Sequence, residues 1–363
     1  MRLSLTGDGG RPAIDAIVLV APLELPSLPL FTHSRARLVF TLPLTTVLGC
    51  SAPVFNAAPQ PPPLAGEAFT LPSRAGALAC YVAGPTATSR APLLFVHSVN
   101  AAGSAYEVKP LYDHYRGSRR VYALELPGYG HSDRSERVYT LRMMTDAVLA
   151  ATEEVRRREG VASIDALAVS LSSEFLARAA SEAPGAYRSV ALVSPTGFDS
   201  GAPYRGAAGS SRGKAWLYRL FTAPVWRRPF FDVLTTRASI RFFLEKTWGG
   251  KRIDEGMFEY AHLTTRHPGA HHVPYYFISG YLFSADITSV YETLRMPVWM
   301  SHGVRGDFVD YRYKAAFADR ANWRFSVFDS GALPYFERPA EFITAYDNFL
   351  DASGSPGASE PHP

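Results

Sequence analysis

The chain has 363 residues, 47% of them hydrophobic and 19% charged, which is enough to bury a substantial core beneath an ordinary globular surface. Its net charge is +4 and its pI near 9.0. The basic residues are dispersed and no Lys/Arg block interleaves with aromatics, which excludes a nucleic-acid partner and leaves a modestly basic surface.

Residues 1–60 show no usable amphipathic period. Within them RARLVFTLPLTTVLGC (35–50) runs from two arginines through an apolar stretch to a small residue and a cysteine, and Val47-Leu48-Gly49-Cys50 resembles the lipobox of a bacterial lipoprotein signal. That resemblance implies membrane attachment through a lipidated Cys50, followed by a Pro/Ala-rich tether, Ser51 to Pro63, and a place in the cell envelope. The 34 residues ahead of the arginines are long for such a leader. A start downstream of Met1, or a translated upstream stretch with the protein then cytoplasmic, therefore stays open. The apolar run is too short for a spanning helix. With Cys50 acylated only Cys80 remains, so no structural disulfide is expected.

From residue 64 the pattern becomes regular. Strands are predicted near 77–83, at 93–97, 120–126, 164–169 and 189–193, with helices at 106–117, 138–159 and 171–183 between them. The alternation stops after Ser194-Pro195-Thr196-Gly197 and resumes with strand 297–301, helix 311–320, strand 324–328 and helix 336–350. Alternating strands and helices demand crossovers, hence a mostly parallel sheet with helices on both faces and a ligand site at the carboxyl ends of the strands. The tail 353–363, SGSPGASEPHP, is low in complexity and expected to be disordered.

Three turns stand at the ends of predicted strands. In IDALAVSLSSEFLARAA (164–180) an apolar run stops at Ser170, and Leu171, Phe175, Leu176 and Ala179 then recur at helical spacing, so the chain turns sharply at the serine. Such a turn exposes a hydroxyl above the sheet and aims the new helix's amides at the same spot, which suits a negative charge growing on a carbonyl oxygen. A serine at a strand-to-helix junction also serves simply as an N-cap. LLFVHSVNAAGS (93–104) ends a strand in His97-Ser98 and a small-residue loop, and VYALELPGYGHSD (121–133) ends another in Pro127-Gly128.

Together these segments resemble the α/β-hydrolase superfamily, in its capped group, over roughly residues 75–350. Ala168-Val169-Ser170-Leu171-Ser172 stands where the family has G-x-S-x-G, with small residues for both glycines. Glu125 to Ser132 resembles its D-x-P-G-x-G-x-S turn. The resemblance implies Ser170 as nucleophile, the backbone amides of Val99 and Leu171 as oxyanion donors, and an acid in VWMSHGVRGDFVDY (298–311), where Asp307 is the nearest match and Asp310 the runner-up. It also implies a core of 64–197 and 295–352 with a helical cap at 198–294.

One position departs from the pattern. FDSGALPYFERPAEF (328–342) resembles the family's G-H-x-P-H-x-E-x-P, whose first histidine is the base, but Ala332 and Tyr335 occupy the two histidine positions. A serine hydroxyl needs a base to become a good nucleophile. Three readings follow: a histidine from the cap enters the site (His262, His267, His271 or His272), the protein binds a ligand without cleaving it, or it runs a lyase-type reaction needing only pocket and oxyanion hole. His302 is expected to pack under the sheet, and His97 and His131 fall at structural or oxyanion-supporting positions. The aromatic-rich 198–294 favours a small hydrophobic or aromatic carbonyl substrate. No Gly-rich phosphate loop and no metal-ligand spacing is present, so neither a cofactor nor a metal is expected.

Overall fold

A computed structural model describes residues 60–199, 201, 203–306 and 310–354. The expectations for Cys50, Asp307 and the 355–363 part of the tail therefore lie outside the described residues.

The chain opens with a hairpin of β1 (Glu67–Ser73) and β2 (Gly76–Ala83), and then alternates strands with helices. In order come β3 (Leu93–Val96), a 3-10 turn at Ala105–Val108 running into α1 (Lys109–Tyr115), β4 (Val121–Leu124), α2 (Leu141–Glu159), β5 (Ile164–Val169), α3 (Ser172–Glu182) and β6 (Tyr187–Val193). Six helices intervene: α4 (Ala215–Thr222), α5 (Arg227–Leu234), α6 (Arg237–Trp248), α7 (Glu255–Thr264), α8 (His272–Ile278) and α9 (Ile287–Thr293). The alternation closes with β7 (Val298–Gly303), β8 (Trp323–Phe328), α10 (Pro334–Glu337) and α11 (Pro339–Gly354).

The eight strands form one sheet in the order β1-β2-β4-β3-β5-β6-β7-β8. The β1–β2 and β2–β4 pairs are antiparallel and the rest are parallel, so the mostly parallel sheet expected from the alternation is what forms. The inner strands read as buried runs, Leu93–Val96 wholly apolar and Ile164–Val169 apolar but for Asp165, because helices cover both their faces. One face packs Leu94, Val96, Ala166, Ala168, Val190 and Met300 beneath α2, α3 and α9. The other packs Phe95, Leu167, Val169, Ala191 and Trp299 against α1 and α11, and also against α6 and α7 of the inserted helices. A polar knot closes the amino-terminal end of β5: buried Asp165 pairs with Arg119 at 2.5 Å and with Arg188, and accepts from Ser189 Oγ at 2.6 Å. A buried carboxylate is tolerated only when its lone pairs are filled in this way.

Two expectations need correction. The segment 311–320 is not an α-helix but a 3-10 turn at Arg312–Phe317, entered through Tyr311 at φ +51°. The strand β1 was not anticipated at all. Among the described residues no helix is long and apolar enough to cross a membrane.

Candidate active site

At the end of β5 the strand must stop and a helix begin within one residue. Ser170 does this at φ +55°, a left-handed conformation costing a residue with a Cβ about 1–2 kcal/mol. Its surroundings fix it there. The Ser170 amide donates to the carbonyl of Val193 on β6 at 2.8 Å, and the Ser170 carbonyl accepts from the Ser173 amide at 3.0 Å. Residues 164–169 and 171–177 are buried while Ser170 is partly exposed, so the serine is displayed at the carboxyl edge of the sheet rather than sunk into it.

The small residues flanking the serine are more than glycine substitutes. Ser172 Oγ donates to the His97 carbonyl at 2.5 Å and Ser173 Oγ to the Ala168 carbonyl at 3.2 Å, both buried. The first of these staples the turn to the loop after β3. His97 holds that loop from within: its Nε2 accepts from the Leu126 amide at 3.1 Å, which leaves the proton on Nδ1 to donate to the Ser98 carbonyl at 2.6 Å. Glu107, in the 3-10 turn that follows, accepts from the Ser98 amide and from Asn100 Nδ2, each at 2.8 Å. Ser98 and Asn100 are thus committed, and Val99 lies between them. Among the described residues neither the Val99 amide nor the Leu171 amide has a hydrogen-bond acceptor. The structure brings the end of β5 and the loop after β3 together through Ser172 and His97.

The turn after β4 supports the same loop. Tyr129 OH donates to the Asn100 carbonyl at 3.0 Å, and buried Glu125 accepts from the Tyr81 hydroxyl at 2.9 Å and the His131 amide at 2.6 Å. Burial pushes the Glu125 carboxyl up, but the hydrogen bonds from His131 outweigh it and hold it below the usual carboxylate range. The turn needs glycine at Gly130, whose φ is +50° and where a Cβ would stand 1.8 Å from the Glu125 carboxyl carbon.

The acid and base positions are different. Asp310, the runner-up acid, accepts from the Arg312 amide at 3.2 Å and faces the Arg312 guanidinium at 3.6 Å. Ala332, at the base position, is built into the fold by its backbone. Its amide donates to the Thr247 carbonyl at the end of α6 at 2.8 Å, and its carbonyl accepts from Ser194 Oγ at 2.7 Å. Tyr335, at the second histidine position, is buried and donates to the Glu107 carbonyl at 3.0 Å.

Among the described residues no imidazole is hydrogen-bonded to Ser170, and the four inserted histidines have other surroundings. His262 Nε2 meets Arg266 at 3.3 Å. His271 stacks against His272 with ring centroids 4.1 Å apart, and burial lowers its pKa to about 4. His267 is lowered by burial and by Arg134 beyond it. His302 is buried as expected, stacked on Tyr311 at 4.1 Å with Nε2 accepting from Lys314 Nζ at 2.7 Å. Burial, opposed by its bond to the Gly303 carbonyl, leaves His302 below the ordinary imidazole range.

A cavity of about 250 Å³ lies between the approach to α2 and the inserted helices, lined by Glu136, Tyr218, Arg227, His272, Tyr275 and Tyr276; Ser170 does not line it. Among the described residues no three His, Cys, Asp or Glu side chains group so as to hold a metal ion.

The overall fold recurs in solved structures. The chain has the α/β-hydrolase fold. It is similar to a probable hydrolytic enzyme from Pseudomonas aeruginosa (TM-score 0.54, 18% identity, 78% of this chain and 93% of that one). It is similar also to an epoxide hydrolase (0.60, 15%, 79% and 99%) and to the naproxen esterase of Bacillus subtilis (0.58, 15%, 79% and 92%). No protein-family model and no curated protein matches the chain. Within this fold the signals missed in the sequence are Glu107, Asn100 and Ser194. The first two are a polar pair seven residues apart beside a small-residue loop, and Ser194 repeats the positive φ of Ser170 one strand over, at +47°.

Proposed function

We propose that this chain is a serine hydrolase acting on a hydrophobic carboxylic ester, or a related carbonyl compound, through Ser170. The observation carrying this reading is the Ser170 turn: a strained, partly exposed serine followed by the Leu171 amide and stapled through Ser172 to the loop that carries the Val99 amide, neither amide having a hydrogen-bond acceptor among the described residues. The Ser170 hydroxyl adds to the substrate carbonyl, whose oxygen takes up negative charge against the amides of Val99 and Leu171. The alcohol leaves with a proton, the acyl group remains on Ser170 Oγ, and water then releases the acid and restores the hydroxyl. Among the described residues no imidazole stands ready to take the serine proton, so turnover rests on the oxyanion amides and binding, worth roughly 10³–10⁴ over water. Asp307 keeps its place in this reading as the acid, and the inserted helices as a cap over the substrate.

The lack of an imidazole at Ala332 and at Tyr335, whose hydroxyl is spent on the Glu107 carbonyl, favours a second reading, in which the same pocket binds a carbonyl ligand or serves a lyase without hydrolysis. A serine-reactive aryl phosphonate with intact-mass readout separates the two. One adduct per chain, absent in Ser170→Ala, together with slow release of alcohol from a short aryl ester, supports the hydrolase. No adduct and no turnover despite binding of the aryl ester supports the second reading.

A further inference from the structure

The turn joining α4 to α5 presents apolar side chains to solvent with nothing packed over them. Trp216 is 63% exposed, Leu220 45%, Val225 83% and Trp226 45%. They form one surface. Trp216 and Leu220 are a helical turn apart on α4, and Trp226 folds back to donate its indole N–H to the Leu220 carbonyl at 2.7 Å. The opposite side of the pair meets its packing needs elsewhere: Leu217 is buried, Phe221 stacks on Phe230 at 5.0 Å, and Tyr218 and Phe221 join Phe231, Ala270 and Tyr275. The outward side is therefore not a shortage of core. Its rim is cationic, since residues 214–232 hold four basic residues, Lys214, Arg219, Arg227 and Arg228, against one acid, Asp232. Arg227 pairs with Glu136 at 3.1 Å and Arg228 with Asp232 at 3.2 Å, while among the described residues Lys214 and Arg219 form no salt bridge, which leaves them as the rim's net charge.

We propose that this face seats the protein on an anionic lipid bilayer. Exposed indoles beside guanidinium and ammonium groups match the apolar–polar boundary of a membrane, where Trp rings settle at headgroup depth and basic side chains meet lipid phosphates. A second copy of the chain is a poorer occupant, because twofold pairing would set two cationic rims against each other. The inference is independent of the reaction at Ser170.

The test is flotation of the full chain carrying Cys50→Ser, so that no acyl anchor contributes, with vesicles of phosphatidylcholine alone or with 30 mol% phosphatidylglycerol, a probe composition chosen to make the surface anionic in the manner of natural membranes (about a third of the lipid charged). Binding is expected only to the anionic vesicles, with a blue shift of tryptophan emission. Lys214→Gln with Arg219→Gln should weaken it about fivefold per charge removed. Trp216→Ala with Trp226→Ala should weaken it by about tenfold while circular dichroism and melting temperature hold. Equal binding to neutral vesicles, binding unaffected by both double variants, or no binding with a concentration-dependent dimer that Trp216→Ala abolishes would each overturn the proposal.

Discussion

The turn after β5 and the loop after β8 meet at the same edge of one sheet, and they were built to different ends. At the turn, polar contacts converge on presenting a group: Ser170 is strained and exposed, Ser172 ties it to the His97 carbonyl, and Glu107 and His97 occupy the neighbours of Val99 while leaving its amide open. At the loop, polar contacts converge on packing. The Ala332 amide is spent on Thr247, its carbonyl on Ser194, and the Tyr335 hydroxyl on the Glu107 backbone. One half of the arrangement is held ready for a ligand and the other has been absorbed into the scaffold. The comparison teaches that a strained, displayed serine turn can persist beside a loop whose polar groups are spent on packing.

The largest expected effect comes from returning a base to that loop. The bonds fixing Ala332 run through its amide and carbonyl, so they are indifferent to its side chain, and the residue is partly exposed. Ala332→His should therefore fold with unchanged melting temperature and raise aryl-ester turnover about 10²–10⁴-fold, the usual worth of general-base assistance. A folded variant no faster than wild type would show that the two halves no longer share a geometry, and the comparison would sharpen into a loss of alignment.

A second way to break the comparison is to find the base on the inserted helices. His271 is the member of that group most committed to the neutral form, since burial lowers it from 6.5 to about 4. A group whose folded pKa is depressed below its unfolded value prefers the folded state when neutral. Its contribution is complete above pH 6.5 and is lost as the pH falls toward 4, a change that solvent screening of this half-buried ring holds to about 1 kcal/mol. Denaturant unfolding as a function of pH should show that loss, and His271→Phe should flatten the profile while leaving neutral-pH turnover at the wild-type level. Turnover abolished by His271→Phe at pH 7 would place the base on the insertion and erase the contrast between turn and loop.

How much of this was legible depends on the range of the interaction that decides each element. Ile164–Val169 was readable to the residue, because burial on both faces leaves a run that is apolar but for Asp165 and ends where the left-handed serine must turn. The alternation of strands and helices carried the sheet for the same reason. β1 was not readable: Glu67–Ser73 is an edge strand with half its side chains in solvent and a proline at position 72, and only its pairing with β2 makes it a strand. Residues 312–317 have helical residue types but form a 3-10 turn packed on Phe198, whose carbonyl accepts the Tyr313 amide at 2.9 Å. The serine and its two amides could be named from local motifs. How the loop carrying Ala332 is anchored could not, because its partners are Thr247 and Ser194, 85 and 138 residues away in sequence.

The smallest effects distinguish the two regions most directly, because they compare one buried hydroxyl from each. Ser172→Ala removes the donor from the His97 carbonyl, and Tyr335→Phe removes it from the Glu107 carbonyl. Both leave a buried acceptor short of a partner, and each should lower stability, Ser172→Ala by about 1–3 kcal/mol and Tyr335→Phe, whose ring stays packed on Phe342, by about 1 kcal/mol. Their effects on chemistry should part. The Ser172 bond joins the turn to the loop carrying Val99, so under the proposed hydrolase reading its loss lets the two amides drift from the developing oxyanion and should cost about tenfold or more in turnover, less than the full loss of one donor. The Tyr335 bond ends on a backbone carbonyl whose own side chain still grips Ser98 and Asn100, so turnover should hold. Matched denaturation and single-turnover measurements on the two variants check this. If Tyr335→Phe slows acylation of Ser170 as much as Ser172→Ala does, the loop after β8 still takes part in the chemistry, and the division between a presenting half and a packing half is wrong.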